Sequence, residues 1–148
     1  MKCILANKPK NIYRDLSYSV PEIQYIKSQR LARIATASPD SHPDVVPVAF
    51  QFDGKYFYLG SHSQDIFHRT RKYKNVRDGN KWVALTIDDL ESVDLLKPRG
   101  IKVYGTAQII EHNGMFGPGR YLRITPDISW SWGIRGPKTT KTVHHNSS

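Results

Sequence analysis

Apolar side chains in this chain occur in short alternating runs, which is the pattern of β-strands. The clearest runs flank Asp53 and Gly54, where positions 45–52 and 56–59 are rich in valine and aromatic residues. Asp-Gly tolerates the positive φ angles of a two-residue hairpin turn. The pattern therefore predicts two strands joined at Asp53-Gly54. A polar loop follows, and then one helix to about Val76 with an apolar face and a basic face.

Other apolar runs predict further strands at 31–37, 82–87, 101–110 and 121–125, of which the strand at 82–87 is predicted to be buried. Gly105, in the middle of one run, predicts a bulge or a corner of a barrel. Pro126 is predicted to end the last strand. Turn-forming residues predict loops at 38–44, 90–100 and 112–119.

The N-terminal part of the chain contains a helix signal. Ser19 and Glu22 have the spacing of a capping box, and Pro21 suits the first turn, so a helix of about ten residues is predicted to end near Ser28. The domain organisation follows from these elements. Residues 1–18 are predicted to form an N-terminal extension, residues 19–134 one folded domain, and residues 135–148 a polar basic tail.

Six strand candidates and two short helices predict a mostly β protein with an antiparallel barrel, although a sandwich would fit the same pattern. Pro47 lies within a strand pattern, which indicates an edge strand or a position that faces a ligand.

The net charge of +9 is concentrated in one segment. Residues 69–81 contain six cations and one anion, Asp78. A solvated face, a nucleic-acid surface and a pocket for a multiply charged anion all fit such a segment. Thr70, Arg71 and Lys72 combine a hydroxyl, a guanidinium and an ammonium, which suits a phosphate group. No nucleic-acid recognition motif occurs, so a nucleic-acid partner is the least favoured of the three.

The remaining composition indicates a cytoplasmic protein with no membrane partner. No apolar run approaches the ~20 residues that span a bilayer, and the N-terminus lacks the apolar core of a signal peptide. Cys3 is the only cysteine, so no disulfide can form within the chain. The six histidines lack the spacing of a zinc helix, and no metal site is predicted.

Several segments, taken in order, resemble one known family. They are 28–36, 43–50 with its Val-Pro-Val centre, 70–72, 82–89, 99–105 and 123–133. This set resembles the pyridoxamine 5′-phosphate oxidase-like split-barrel flavin-binding proteins, and within them a branch of deazaflavin-dependent enzymes. The residues that hold the substrate phosphate in a true pyridoxamine phosphate oxidase are missing near the C-terminus, so vitamin B6 chemistry is not expected.

The resemblance implies a split-barrel homodimer with a flavin-type cofactor, FMN or the deazaflavin coenzyme F-420, at each of two interface sites. By position, Thr70, Arg71 and Lys72 match the contacts to the cofactor phosphate. The partner's Trp130 or Trp132 matches an aromatic residue that approaches the cofactor. The segments beside the ring and the remaining candidates give the cofactor-binding set Val46, Pro47, Val48, Ala49, Tyr58, Leu59, Gly60, Thr70, Arg71, Lys72 and Trp132.

The implied function is hydride transfer between the bound cofactor and an unidentified small molecule, a reaction that needs orientation more than a dedicated nucleophile. Catalytic residues are not identified by this comparison, and Tyr58 is assigned to sheet packing rather than catalysis. A non-catalytic flavin-binding module for storage or sensing would use the same residues and stays an alternative. The extra cations Arg69, Lys74 and Arg77 favour a polyglutamate-tailed deazaflavin over FMN.

Overall fold

The computed structural model describes residues 18–134 and contains three short helices and seven strands in that range. The helices are α1 (Val20–Ser28), α2 (Gln64–Arg69) and α3 (Arg71–Arg77). The strands are β1 (Leu31–Ala37), β2 (Pro43–Ala49), β3 (Gln51–Phe52), β4 (Phe57–Leu59), β5 (Trp82–Ser92), β6 (Lys97–Gly114) and β7 (Gly117–Trp132). The predicted tail, and the predicted N-terminal extension apart from Tyr18, lie outside the described residues. None of the described helices is long and apolar enough to cross a bilayer.

All seven strands form one antiparallel sheet in the order β2-β1-β5-β6-β7-β4-β3. The prediction of a mostly antiparallel β protein with short helices is confirmed. The count of six strands is wrong, because the run at 45–52 divides into β2 and β3 at Phe50. The sheet is also not closed into a barrel by hydrogen bonds, since β2 and β3 are its two edges. Pro47 lies on an edge strand, as predicted.

Helix α1 begins with the predicted capping box. The Glu22 backbone N–H donates to the Ser19 hydroxyl, and the Ser19 backbone N–H donates to the Glu22 carboxylate at 2.7 Å. The helix is held on the sheet by Asp89, whose carboxylate accepts from Tyr25 Oη at 3.0 Å and from two guanidinium nitrogens of Arg99 at 2.7 and 3.0 Å. The capping box therefore starts the helix, and the hydrogen bonds to the Asp89 carboxylate fix its position on the sheet.

The β3–β4 turn lies one residue later than the sequence predicts. The Asp53 backbone N–H donates to the Tyr56 carbonyl, so Gly54 and Lys55 are the two linking residues. Gly54 has φ of 99°, which accounts for glycine there. The Asp53 carboxylate accepts from the backbone N–H groups of Lys55 and Tyr56 at 2.8 and 2.7 Å. Asp53 thus shapes the turn from its first position.

Two predicted loops are strands instead. Residues 90–100 contain the ends of β5 and β6 joined by a turn at 93–96, and residues 112–119 contain the ends of β6 and β7 joined at 115–116. Strand β7 also continues through Pro126 to Trp132, so the prediction that Pro126 ends it is wrong. The bulge predicted near Gly105 is confirmed. Tyr104 pairs with Ile128 and Gly105 pairs with Pro126, which leaves Asp127 as the extra residue.

The core lies on one side of the sheet. It consists mainly of aliphatic and aromatic side chains from alternate positions of every strand, together with Tyr25, Ile26, Phe67 and Tyr73 from the helices. The opposite side of β1, β5, β6 and β7, here called the outer face, is also apolar at several positions. Trp82 is 54% exposed there, so the predicted burial of the strand at 82–87 holds only for the face that carries Val83, Leu85 and Ile87.

Candidate functional site

The basic segment is formed by two helices, not the one that was predicted. Thr70 lies between α2 and α3, caps the end of the first and begins the second, with extended φ and ψ of −71° and 151°. Its hydroxyl donates to the Phe67 carbonyl at 2.7 Å and accepts from the Tyr73 backbone N–H at 3.4 Å. A hydroxyl has one proton to donate. Thr70 therefore cannot donate to a phosphate without releasing Phe67.

Lys72 is the least exposed cation of the predicted phosphate-binding residues, with 9% of its surface accessible. Its Nζ lies 5.8 Å from the centre of the Phe67 ring, and within residues 18–134 no carboxylate lies within 4.0 Å of it. Burial lowers the pKa of Lys72, while the Asp44 carboxylate acts in the opposite direction. A desolvated ammonium without an ion-pair partner is suited to accept an anionic ligand.

Arg71 lies in a polar depression of about 460 Å³ between α3 and the β1–β2 turn. Two carboxylates line the same depression, Asp40 and Asp44, together with Ser38 and His42. The hydrogen bond from Ser38 lowers the pKa of Asp40, which keeps that carboxylate ionised. The depression is therefore of mixed charge, and a phosphate beside Arg71 would also face two anions.

The predicted ring-binding segment, Val46, Pro47, Val48 and Ala49, lies on edge strand β2. One side of this strand pairs with β1, with Pro47 opposite Arg33, and the other side has no strand beside it. Alternate backbone groups of an edge strand are open to a ligand. Val48 is buried in the core, whereas Pro47 is exposed on the outer face.

Tyr58, Leu59 and Gly60 lie on or just beyond β4, where their side chains serve packing. Tyr58 Oη donates to the Asp53 carboxylate at 2.9 Å, and its ring stacks on His112 with centroids 4.2 Å apart. Burial, followed by the bond to Asp53, raises the pKa of Tyr58 to about 12. A Cβ at Gly60 would lie 2.6 Å from the Tyr121 ring, so this position requires glycine.

The structure links three of the predicted groups through the chain and through neighbouring strands. Lys72 lies near Asp44, which pairs with Thr36 on β1, and Asn75 of α3 donates to the Thr36 hydroxyl at 2.8 Å. The 46–49 segment continues through Phe50 to Gln51, which pairs with Tyr58. Phosphate, ring and β4 candidates are therefore connected within one chain.

Trp132 is not part of this group within one chain. It pairs with Gly100 at the end of β7, and Gly100 pairs in turn with Asp88 of β5. Asp88 lies four residues along β5 from Ala84, about 13 Å away at 3.3 Å per residue, and Ala84 pairs with Ala35 beside Thr36. The approach of the partner's Trp132 to the cofactor stays a prediction.

Sequence reasoning missed a groove of about 430 Å³ on the outer face. Its floor is made of small residues from β1 and β5, and Trp82 and Tyr104 rise beside it, the second 43% exposed. The bulge residue Asp127 and Ile128 complete the lining. The alternation of Trp82, Ala84 and Thr86 with the buried Val83, Leu85 and Ile87 was the available signal. Elsewhere in residues 18–134, no three His, Cys, Asp or Glu side chains group as a metal site requires.

Comparison with known proteins identifies the family. The family model described as pyridoxamine 5′-phosphate oxidase matches residues 20–123. The chain belongs to the pyridoxamine 5′-phosphate oxidase family. A relative from Streptomyces rimosus, a 5a,11a-dehydrotetracycline/5a,11a-dehydrooxytetracycline reductase, is 30% identical over 129 residues, which cover 84% of this chain and 89% of that protein. Family membership and this relative support an oxidoreductase role and a flavin-type cofactor.

Solved structures share the fold. A conserved hypothetical protein of Mycobacterium tuberculosis aligns with a TM-score of 0.60 and 20% identity, covering 80% of this chain and 86% of the other. A protein named an F-420 reductase aligns with a TM-score of 0.51 and 19% identity, covering 68% of this chain and 89% of the other. At these identities the structural likeness supports the fold alone.

Proposed function

We propose that the protein is a flavin- or deazaflavin-dependent oxidoreductase that transfers a hydride between its bound cofactor and a small molecule. The observation that carries this proposal is the Lys72 side chain, which is only 9% exposed, has no carboxylate within 4.0 Å of its ammonium in the described part of the chain and lies near Asp44 of the edge strand β2. A ligand phosphate would supply the missing counter-charge. The flavin-type cofactors expected from the family carry such a phosphate, and their ring would lie along the extended backbone of β2.

Each candidate residue has a distinct part in holding this group. Lys72 and Arg71 would bind the phosphate, each charged hydrogen bond contributing about 1.5–3 kcal/mol. Thr70 would act by fixing the break between α2 and α3, which sets where the first turn of α3 begins. The open edge of β2 would orient the ring and keep water from one side of it. The cofactor itself supplies the hydride-carrying ring.

A homodimer is part of the proposal. The outer face carries exposed Trp82, Tyr104 and Trp132 together with Val45 and Leu31, and a face of this kind is typical of a protein–protein contact. A second subunit on this face would bring the partner's Trp132 towards the cofactor.

The choice between FMN and coenzyme F-420 depends on the extra cations. Arg77 is engaged by Asp78, with Nε 2.8 Å from the carboxylate, and Arg69 Nε donates to the Asp65 carbonyl at 3.3 Å. Of the three extra cations, only Lys74 is then left to bind the polyglutamate tail of a deazaflavin. The support for coenzyme F-420 over FMN is therefore weaker than the sequence alone indicates. The dehydrotetracycline reductase relative makes a polycyclic enone the first substrate to assay.

The proposal is tested by titrating the protein with FMN and with coenzyme F-420, and following absorbance and fluorescence. Wild type should bind at least one of them saturably. Arg71→Ala with Lys72→Ala should weaken binding by about 100-fold or more, because two charged contacts are lost. Lys81→Ala is the matched control, since Lys81 is an exposed cation of the same segment, and it should leave affinity unchanged.

Three outcomes of this experiment separate the functions considered. Turnover of a dehydrotetracycline or a generic acceptor with reduced cofactor supports the oxidoreductase. Saturable binding without turnover of any acceptor supports the storage or sensing module instead. Binding of neither cofactor, combined with a salt-dependent shift of nucleic acid in a gel, would replace the proposal with a nucleic-acid role.

A further inference from the structure

The β5–β6 hairpin extends beyond the rest of the sheet. Strand β1 pairs with β5 only at 84–86, and β7 pairs with β6 no further than Gly100. Residues 89–99 therefore have each other as their only sheet neighbours, and we call them the arm. The Asp89 carboxylate fixes the base of the arm to α1 through Tyr25 Oη and Gln29 Nε2, at 3.0 and 3.3 Å. The arm therefore projects from the sheet, and these hydrogen bonds fix its base.

The tip of the arm is apolar and exposed. Leu95 and Leu96 are 66% and 71% accessible, and Leu90 and Val93 are also exposed. Leu96 has φ of 48°, a left-handed conformation that costs a non-glycine residue about 1 kcal/mol or more. Four large aliphatic side chains exposed on one protruding hairpin, three of them on its turn, are unusual for a surface that faces only water.

The outer-face groove is a concave apolar surface at the other end of the same strand. Ala84 lies in the groove and Ser92 at the arm, about 26 Å apart along β5 at 3.3 Å per residue. A two-fold axis across the middle of β5 would place the tip of each copy over the groove of the other. In such an isologous contact both apolar surfaces of both copies are buried together.

Charge supports the same arrangement. Residues 88–94 carry four carboxylates and no cation, whereas residues 69–81, at the groove end, carry six cations and one anion. Two of the carboxylates are paired within the chain, Asp88 with Arg33 at 2.8 Å and Asp89 with Arg99 at 2.7 Å. Asp94 at the tip would face the basic segment of a second copy. Complementary charge of this kind fixes the register of an interface.

We propose that the tip of the arm docks in the outer-face groove of a second copy of this chain, beside that copy's basic segment. The inference rests on the homodimer of the proposed function and adds to it. Leu95 and Leu96 are then the apolar residues that each subunit supplies to the groove of the other.

Directed cross-linking tests this docking. In a Cys3→Ser background, which removes the only cysteine, Leu96→Cys and Trp82→Cys variants with different tags are co-expressed and mildly oxidised. We expect a disulfide-linked dimer with one copy of each variant. Met115→Cys co-expressed with Trp82→Cys is the control, because Met115 is an exposed apolar residue, 50% accessible, at the other hairpin tip of β6. That pair should stay unlinked.

Sedimentation of the unoxidised proteins distinguishes the two levels of the proposal. A dimer in which Leu96→Cys and Trp82→Cys do not cross-link, or in which the Met115→Cys control links equally well, overturns the docking and leaves the homodimer standing. A monomer overturns both. As a second measure, Leu95→Asp with Leu96→Asp should weaken the dimer at least about tenfold while Met115→Asp does not. Cooperative melting of both variants would show that they are folded, and equal dimer affinity would contradict the docking.

Discussion

Replacing Lys72 by Met separates the cost of burying an ammonium from its use in binding. Met has a similar length and no charge, so the packing against Phe67 is retained while the ammonium is removed. Without ligand, an unpaired buried polar group costs about 1–3 kcal/mol, part of which the nearby Asp44 offsets. We therefore expect Lys72→Met to raise the free energy of unfolding of the ligand-free protein by about 1–2 kcal/mol, equivalent to about 2–8 °C in Tm.

The pH dependence of this difference follows from the lowered pKa. In the folded protein the pKa of Lys72 lies below its ordinary value of 10.5, so the unfolded chain binds more protons between the two pKa values. The free energy of unfolding of wild type then rises with pH in that window. Below the folded-state pKa the full cost applies. The stability advantage of Lys72→Met should be largest near neutral pH and should shrink as pH approaches 10.5.

Cofactor affinity should change in the opposite direction. Loss of one charged contact to the phosphate removes about 1.5–3 kcal/mol, or about 10–150-fold in Kd. Urea unfolding from pH 7 to 10.5 measures the first effect, and titration with FMN and coenzyme F-420 measures the second. A variant that is less stable than wild type and binds cofactor equally well would refute the reasoning, because Lys72 would then be a structural cation with a partner in the free protein.

Two further predictions concern the fold that positions the site. Asp89→Asn should destabilise the protein by about 1–3 kcal/mol in thermal unfolding, because the charged bonds to Arg99 are weakened. The Arg99 guanidinium holds the pKa of Asp89 below its ordinary value, so this contribution should be present above pH 4 and lost as pH falls through the folded-state pKa, and an unchanged acid limb would contradict it. Gly105→Ala should cost about 3 kcal/mol or more, since its Cβ would overlap the Thr125 backbone carbonyl. Thr106→Ala is the neighbouring control, and equal stability of the two would argue against the close approach.

Features with a local cause were predictable from the sequence. The capping box of Ser19 and Glu22 is complete within four residues, and Gly105 marks the bulge because no side chain fits against the Thr125 carbonyl. Pro47 could be placed on an edge strand because a proline cannot donate to a central ladder. The family resemblance came from the order of such segments and is confirmed by the family match.

Features that depend on pairing or on a second use of a side chain were not predictable. The apolar spacing of Ile66, Phe67, Tyr73 and Val76 fits one helix, and nothing in it shows that the Thr70 hydroxyl would bond Phe67 and divide the helix in two. The turn-forming residues of 90–100 resemble a loop by composition, yet the backbone ladder from Leu90 to Lys97 makes them strands. The mixed charge around Arg71 likewise depends on the β1–β2 turn, which is distant in sequence.

Phe50 determines how the two edges of the sheet are related. Val48, Phe50 and Phe52 are all buried in the core. The stretch from β2 to β3 therefore changes its pairing partner from β1 to β4 while the same face stays buried. The alternation of buried and exposed side chains therefore fixes the number of residues in this stretch. An extra residue can be absorbed at the turns 93–96 or 115–116, but one inserted beside Phe50 would reverse the alternation and turn Phe52 outward. Phe50 belongs to neither β2 nor β3, yet the number of residues between these two strands cannot change without turning core side chains outward.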